Sequence, residues 1–164
     1  MFDRKEIAAA CRKWAGFLQA PDGIDGARLL WAIAGCESSF GLNCKPRHEP
    51  FYHRLAVEKK NAQLVKLTEL FGCDAHSSFG PWQLLVVNCS STMRPEDFLD
   101  VNRACMETAL FLNRRVLGAE HADTVQKIAV AYNSGKWEWA NMPPGVAQYA
   151  RQCQGFYDTE PLAE

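Results

Sequence analysis

Apolar residues recur at Ile7, Ala10, Cys11, Trp14 and Leu18, the spacing of one face of a helix, and Asp3 followed by Glu6 has the form of a capping box. A packing helix is predicted there. The run Ala20-Pro21-Asp22-Gly23-Ile24-Asp25-Gly26 is turn chemistry. From Ala27 to Cys36 no charge follows Arg28, so the pattern predicts a helix buried on most of its surface, with Asp25 as its N-cap and Glu37 in its last turn. Residues 41–50 read as loop, and residues 51–71 as one or two helices closed by Gly72. A short polar loop at 73–80 leads to Pro81–Val87, predicted as a short buried helix because Pro is tolerated at a first helical position.

Beyond Pro95, the positions Cys105, Ala109, Leu112 and Val116 form another helical face that Gly118 stops, and Val125, Ile128, Ala129 and Tyr132 form the next. Pro143-Pro144-Gly145 precedes a last helix around Val146–Phe156, and residues 158–164 read as a frayed tail. No strand-length alternation is convincing, and there is no internal repeat or linker. The expected fold is one compact all-α domain over residues 1–164, or α+β with minimal strand.

Composition narrows the chemistry. With 164 residues, 48% hydrophobic and 23% charged, the chain can build an ordinary core. A net charge of −1 gives no reason to expect nucleic acid or an anionic membrane as partner, and no apolar run approaches bilayer length. A polysaccharide substrate and a monomeric protein fit better. The start Met1-Phe2-Asp3-Arg4-Lys5-Glu6 is too charged for a secretory signal, so the expectation is either another route out of the cell or a mature chain given a new Met. Seven cysteines leave at least one thiol free. Cys11 and Cys105 read as small core residues, whereas a Cys36–Cys44 bridge stays open: it would hold the loop after Glu37, but reducing conditions would oppose it.

Glu37 is the anomaly, a carboxylate at the end of an uncharged helix. Desolvation and the negative end of the helix dipole both disfavour its ionised form, so a raised pKa is expected, and a carboxyl that keeps its proton near neutrality is a general acid. Two other stretches accompany it. Glu37-Ser38-Ser39-Phe40, then Ser78-Phe79-Gly80-Pro81-Trp82-Gln83, then Ala131-Tyr132-Asn133-Ser134-Gly135 occur in that order along the chain. Together they resemble the soluble lytic transglycosylase family of the lysozyme-like superfamily, to which goose-type lysozymes and phage endolysins are related. The resemblance covers roughly residues 26 to 155, the motif-bearing core. Its first piece matches the family's Glu-Ser-x-Phe and its third matches Ala-Tyr-Asn-x-Gly. The second keeps Gly80 and Gln83 but has Pro81-Trp82 where the family usually has Leu-Met, a change of shape in the sugar subsite that Trp82 would line.

The resemblance implies a lysozyme-like fold, no cofactor and no metal, and cleavage of the β-1,4 bond between N-acetylmuramic acid and N-acetylglucosamine in peptidoglycan glycan strands of the cell wall. Glu37 would be the catalytic acid. Gln83 offers an amide to an N-acetyl group or sugar hydroxyl, Tyr132 and Asn133 would face the cleft, Ser38 would bond near the acid or the N-acetyl group, and Tyr149 would stand near Glu37. Glu49, in Arg47-His48-Glu49-Pro50-Phe51-Tyr52, is the best candidate for a second carboxylate, because a similar Glu-Pro with a nearby aromatic occurs in some phage relatives; Asp74 is a poorer one. Without a second carboxylate, the substrate's own N-acetyl oxygen assists. Glu37 then turns base and deprotonates the muramoyl 6-hydroxyl to close an anhydro ring. If water attacks instead, the same scaffold is a hydrolytic muramidase, or a chitinase on a neutral polymer.

Two readings of other kinds compete. Cys44, His48 and His53, with Cys36, Cys73 and His76 as further donors, are soft and borderline ligands that would suit a zinc-stabilised binding module, although the spacing lacks paired knuckles. A cysteine hydrolase built on Cys36 lacks a nameable His partner. Trp82, Trp137 and Trp139 are candidates for stacking on sugar rings, with packing under the Pro143-Pro144 loop as the alternative for the last two.

Overall fold

The computed structural model describes residues 1–89, 93–118, 122–135 and 142–164. The first helix, α1 (Arg4–Ala15), starts where Asp3 accepts a hydrogen bond from the Lys5 N–H at 2.9 Å, and it buries Ile7, Ala8, Ala10 and Cys11. Helix α2 (Gly26–Ser38) is capped by Asp25, whose carboxylate accepts from the Ala27 and Arg28 N–H groups. Every residue of α2 from Leu29 to Gly35 is buried, so it forms the axis of the core, with α1 and the last helix α7 (Pro144–Thr159) packed on it. Leu29, Leu30, Trp31 and Ile33 are fully buried, and each such side chain stabilises the fold by roughly 1.5–3 kcal/mol relative to exposure.

The end of α2 is unusual. Ser39, Phe40 and Gly41 follow one another with φ of 53°, 56° and 86°, a left-handed run that a bulky residue such as Phe40 rarely joins. Packing holds it. The Phe40 ring lies 4.5 Å from the Trp31 ring and 5.0 Å from that of Phe156, with the Arg4 guanidinium 4.5 Å from its centre. Gly35 makes this possible, since a Cβ there would come within 2.6 Å of the Phe40 ring and 2.9 Å of Phe156. The chain therefore turns away sharply just after Glu37, leaving that side chain at the edge of the core.

Among the described residues the protein is mostly helical, with seven α-helices and a small antiparallel sheet. That sheet, β1 (Arg47–His48), β2 (Ser77–Phe79) and β3 (Leu84–Leu85), replaces residues expected as loop and helix. Its strands pair in the order β1-β2-β3, with Arg47 opposite Ser78 and Ser78 opposite Leu85. The helix expected over 81–87 is a correction: Gly80-Pro81-Trp82-Gln83 is a turn closed by the Gln83 N–H donating to Gly80 O at 3.2 Å, followed by β3 and a 3-10 turn at Val86–Asn88. Pro81 fixes the same φ in the second position of a turn as at a helix start, so the proline alone did not decide between them.

Helices α3 (Pro50–Val57) and α4 (Ala62–Phe71) account for the two pieces expected over 51–71, and Gly72, with φ 58°, ends the second. Helix α5 (Val101–Leu112) runs into a π turn at Asn113–Leu117, and α6 (Val125–Ser134) ends at Gly135 in the left-handed region. The expected frayed tail is also corrected. Helix α7 continues to Thr159, Glu160 pairs with Arg4 at 2.6 Å, and Arg12 donates to the Ala163 carbonyl at 2.8 Å, tying the C-terminal residues to α1. No helix among the described residues is long and apolar enough to cross a membrane.

Candidate active site

Helix α2 delivers Glu37 to the wall of a cavity of about 500 Å³ that Glu49, Gln83, Tyr132 and Asn133 also line. Three stretches far apart in sequence thus meet in one cleft. The Glu37 side chain is only 5% exposed. Burial lifts its carboxyl from an ordinary 4.5 to about 7; a hydrogen bond from Tyr149 and the charge of Arg47 oppose the rise, and the charge of Glu49 adds to it. Burial therefore favours the protonated carboxyl up to near neutral pH.

Tyr149, on α7, donates its hydroxyl to Glu37 Oε1 at 2.8 Å, which fixes one oxygen of the acid. Arg47, given no role in the sequence reading, reaches both carboxylates. Its Nη2 lies 3.7 Å from Glu37 Oε2, and its Nε lies 2.8 Å from Glu49 Oε1. Strand β1 places it there, and the Glu49 N–H donates to the His76 carbonyl at 2.8 Å, so the segment that carries both side chains is held against its neighbour in the fold. The sequence signal available for Arg47 was its place two residues before Glu49, a spacing that puts both side chains on one side of an extended strand.

The turn at Gly80–Gln83 is built from its own polar groups. Gln83 is 7% exposed, adopts φ 47°, donates from Nε2 to Gly80 O at 3.0 Å and accepts at Oε1 from Ser78 Oγ at 3.1 Å. One amide hydrogen of Gln83 remains for the cleft. The Ser78 hydroxyl also lies 3.2 Å from Glu49 Oε1 and 3.4 Å from Arg47 O, and its single proton serves one acceptor at a time. Ser78 thereby stands between the amide of the turn and the second carboxylate, within reach of either. Glu49 itself keeps 26% of its side chain exposed, more than Glu37 but less than a free loop carboxylate.

No family model, no curated protein sequence and no solved structure matches the chain. The geometry of the cleft carries the functional reading.

Tyr132 lines the cleft with its ring, since its hydroxyl is used in donating to the Trp82 carbonyl at 2.6 Å. Burial raises the pKa of that hydroxyl, and of the Tyr149 hydroxyl, well above the usual tyrosine value. Asn133 is exposed on the cleft and its side chain makes no hydrogen bond to any described residue, while the cap of α6 is supplied by Gly135. Ser38 is placed elsewhere. Its hydroxyl donates to Ala34 O at 3.0 Å and accepts from the Gly41 N–H at 2.9 Å, bracing the left-handed run behind the acid instead of facing the cavity. Trp82 is likewise not at a cleft edge: it is fully buried, with Nε1 donating to Leu30 O at 2.9 Å, and so pins the turn to α2. Trp137 and Trp139 lie outside the described residues.

The donors considered for zinc split into separate places, Cys36 and Cys44 apart from the His48, His53 and His76 rings. Cys44 lies against Ser38, whereas His53 and His76 face each other, Nδ1 to Nδ1, at 3.2 Å beside Thr68. Among the described residues no group of three His, Cys, Asp or Glu side chains is arranged to hold a metal ion. All seven thiols are free, so the Cys36–Cys44 bridge is not formed. Cys36 has no oriented imidazole: His48, His53 and His76 gather in their own cluster.

Proposed function

We propose that this chain is a lysozyme-like glycosidase of the bacterial cell wall, a lytic transglycosylase that cleaves the β-1,4 bond between N-acetylmuramic acid and N-acetylglucosamine. The observation that carries the reading is a buried carboxyl with its pKa near 7 on the wall of a cleft shared with the Gln83 turn and the Tyr132-Asn133 helix end. Glu37, protonated, gives its proton to the glycosidic oxygen as the bond to C1 breaks, and the substrate's N-acetyl oxygen closes on C1. The Glu37 carboxylate then takes the proton of the muramoyl 6-hydroxyl while that oxygen displaces the N-acetyl oxygen from C1. Tyr149 holds Glu37 in place for both steps, and the remaining amide hydrogen of Gln83 and the side-chain amide of Asn133 are available to sugar hydroxyl or N-acetyl groups.

A hydrolytic outcome has its own support. Glu49, anchored by Arg47 on the same cavity, is a second carboxylate that could orient a water in place of the 6-hydroxyl. Glu37→Gln should lower cell-wall clearing by at least about a hundredfold, the usual contribution of general acid catalysis; undiminished clearing removes Glu37 from the reaction. Mass spectrometry of the released muropeptides separates the outcomes, since anhydro ends report the transglycosylase and reducing ends the hydrolase.

A further inference from the structure

After Leu112 the helix does not continue as an α-helix. Asn113–Leu117 forms a π turn, a wider turn that is frequent at functional sites. It is anchored at its start: the Asn113 amide donates to Phe17 O at 2.6 Å and accepts from the Gln19 N–H at 2.9 Å, and Arg114 donates to Asn88 O at 2.8 Å. Arg115 comes next. Its exposed side chain lines the same cavity as Glu37 and makes no ion pair or hydrogen bond with any described residue.

Its position along the cleft follows from the aromatic side chains between. Tyr132 lies close enough to Glu37 for their charges to interact, Phe111 packs edge-on against Tyr132 with ring centres 5.7 Å apart, and Arg115 stands about one helical turn beyond Phe111. The charges of the lining point the same way. Arg47 is paired with Glu49, so when Glu37 carries its proton the guanidinium of Arg115 is the unbalanced charge on the cavity wall.

We infer that Arg115 forms a subsite for a carboxylate carried by the glycan away from the cleaved bond, so that the cleft selects an acidic polymer over a neutral one. This rests on the cleft being a glycan site, as proposed above. A guanidinium offers a planar fork that matches a carboxylate with two parallel hydrogen bonds, and its anchored neighbours leave little beyond its own side-chain rotamers to be ordered on binding. On a wall strand the carboxylate can belong to the stem peptide, or to the lactyl ether where the peptide has been removed. A chitin strand carries neither.

The test uses full-length Glu37→Gln protein, which binds without cleaving, and the same protein carrying Arg115→Gln or Arg115→Lys. Calorimetric titration compares a peptide-bearing muropeptide oligosaccharide, the same oligosaccharide stripped to its lactyl carboxylate, and a chito-oligosaccharide of equal length. Arg115→Gln should weaken binding of at least one acidic ligand by about ten- to hundredfold, with a smaller loss at high salt, and leave the neutral ligand unchanged. Arg115→Lys should recover part of it. The acidic ligand that responds identifies the source of the carboxylate. Equal losses for acidic and neutral ligands, or no loss for either acidic ligand, overturn the subsite while leaving the proposed reaction standing. Wild-type protein that cleaves no glycan strand overturns the reaction itself.

Discussion

Two segments of the cleft each present one carboxylate, and they do so from opposite kinds of structure. Glu37 ends the most deeply buried helix of the fold, behind a left-handed turn clamped by Phe40, and is 5% exposed. Glu49 follows a two-residue edge strand, is 26% exposed, and sits 2.8 Å from a cationic partner. The same functional group is pushed towards its neutral form in one place and tied into an ion pair in the other. Division of labour between two carboxyls is set by surroundings and not by residue type. A core helix excludes water and keeps the counter-charge of Arg47 at 3.7 Å, whereas the edge strand leaves room for water and for a close ion pair.

The largest way to break this contrast is to remove the buried acid. A carboxyl whose folded pKa lies above its unfolded value stabilises the fold, relative to its ionised state, only while protonated; that contribution is complete below about 4.5 and is lost as pH rises through about 7. The displacement corresponds to roughly 3 kcal/mol. Glu37→Gln, which cannot ionise, should therefore be more stable than the wild type by up to about this amount at pH 8, with little difference at pH 4. Denaturant unfolding at both pH values checks it. A variant destabilised equally at both would mean that the carboxyl is not burdened by burial.

A smaller effect isolates the bond from Tyr149. Its hydroxyl opposes the rise in the Glu37 pKa more than any other group does. Tyr149→Phe should move the descending limb of the kcat/KM profile to higher pH, because the acid then keeps its proton longer, while lowering the maximum by about tenfold through loss of the fixed oxygen. A limb that stays in place would dissociate that limb from Glu37.

What could be read from the sequence follows the same division. The uncharged run before Glu37 announced the buried helix and the raised pKa, because periodicity and desolvation are properties of a contiguous stretch. The sheet was not legible. Strands of two or three residues show no alternation, and Pro81 suits a turn as well as a helix start. Trp82 was expected on sugar and is buried, since an apolar residue in a short motif carries no mark of the side it faces. Ser38 was expected near substrate, but a helix-end hydroxyl bonds most easily to its own backbone. Tyr149 lies against Glu37, a contact between residues 112 positions apart that no contiguous pattern announces. Arg47 was missed because a bridge between two carboxylates exists only once strand pairing sets Arg47 opposite Ser78 and brings the segment to the cleft.

Arg47 gives the smallest expected effect and the sharpest comparison, because it touches both carboxylates at different distances. Its contact with Glu49 is a close ion pair at 2.8 Å, and its contact with Glu37 is 3.7 Å, with a guanidinium side chain 55% exposed. Such exposure limits the stability at stake to about 0–1 kcal/mol. Arg47→Met should therefore unfold within about 1 kcal/mol of the wild type, yet raise the Glu37 pKa by removing the cation that opposes it, moving the basic limb upward by less than Tyr149→Phe does. The two variants are read in one set of pH profiles. If Arg47→Met moved the limb further than Tyr149→Phe, the proton on Glu37 would be governed by charge at the edge strand and not by burial at the end of α2, and the contrast between the two segments would have to be reversed.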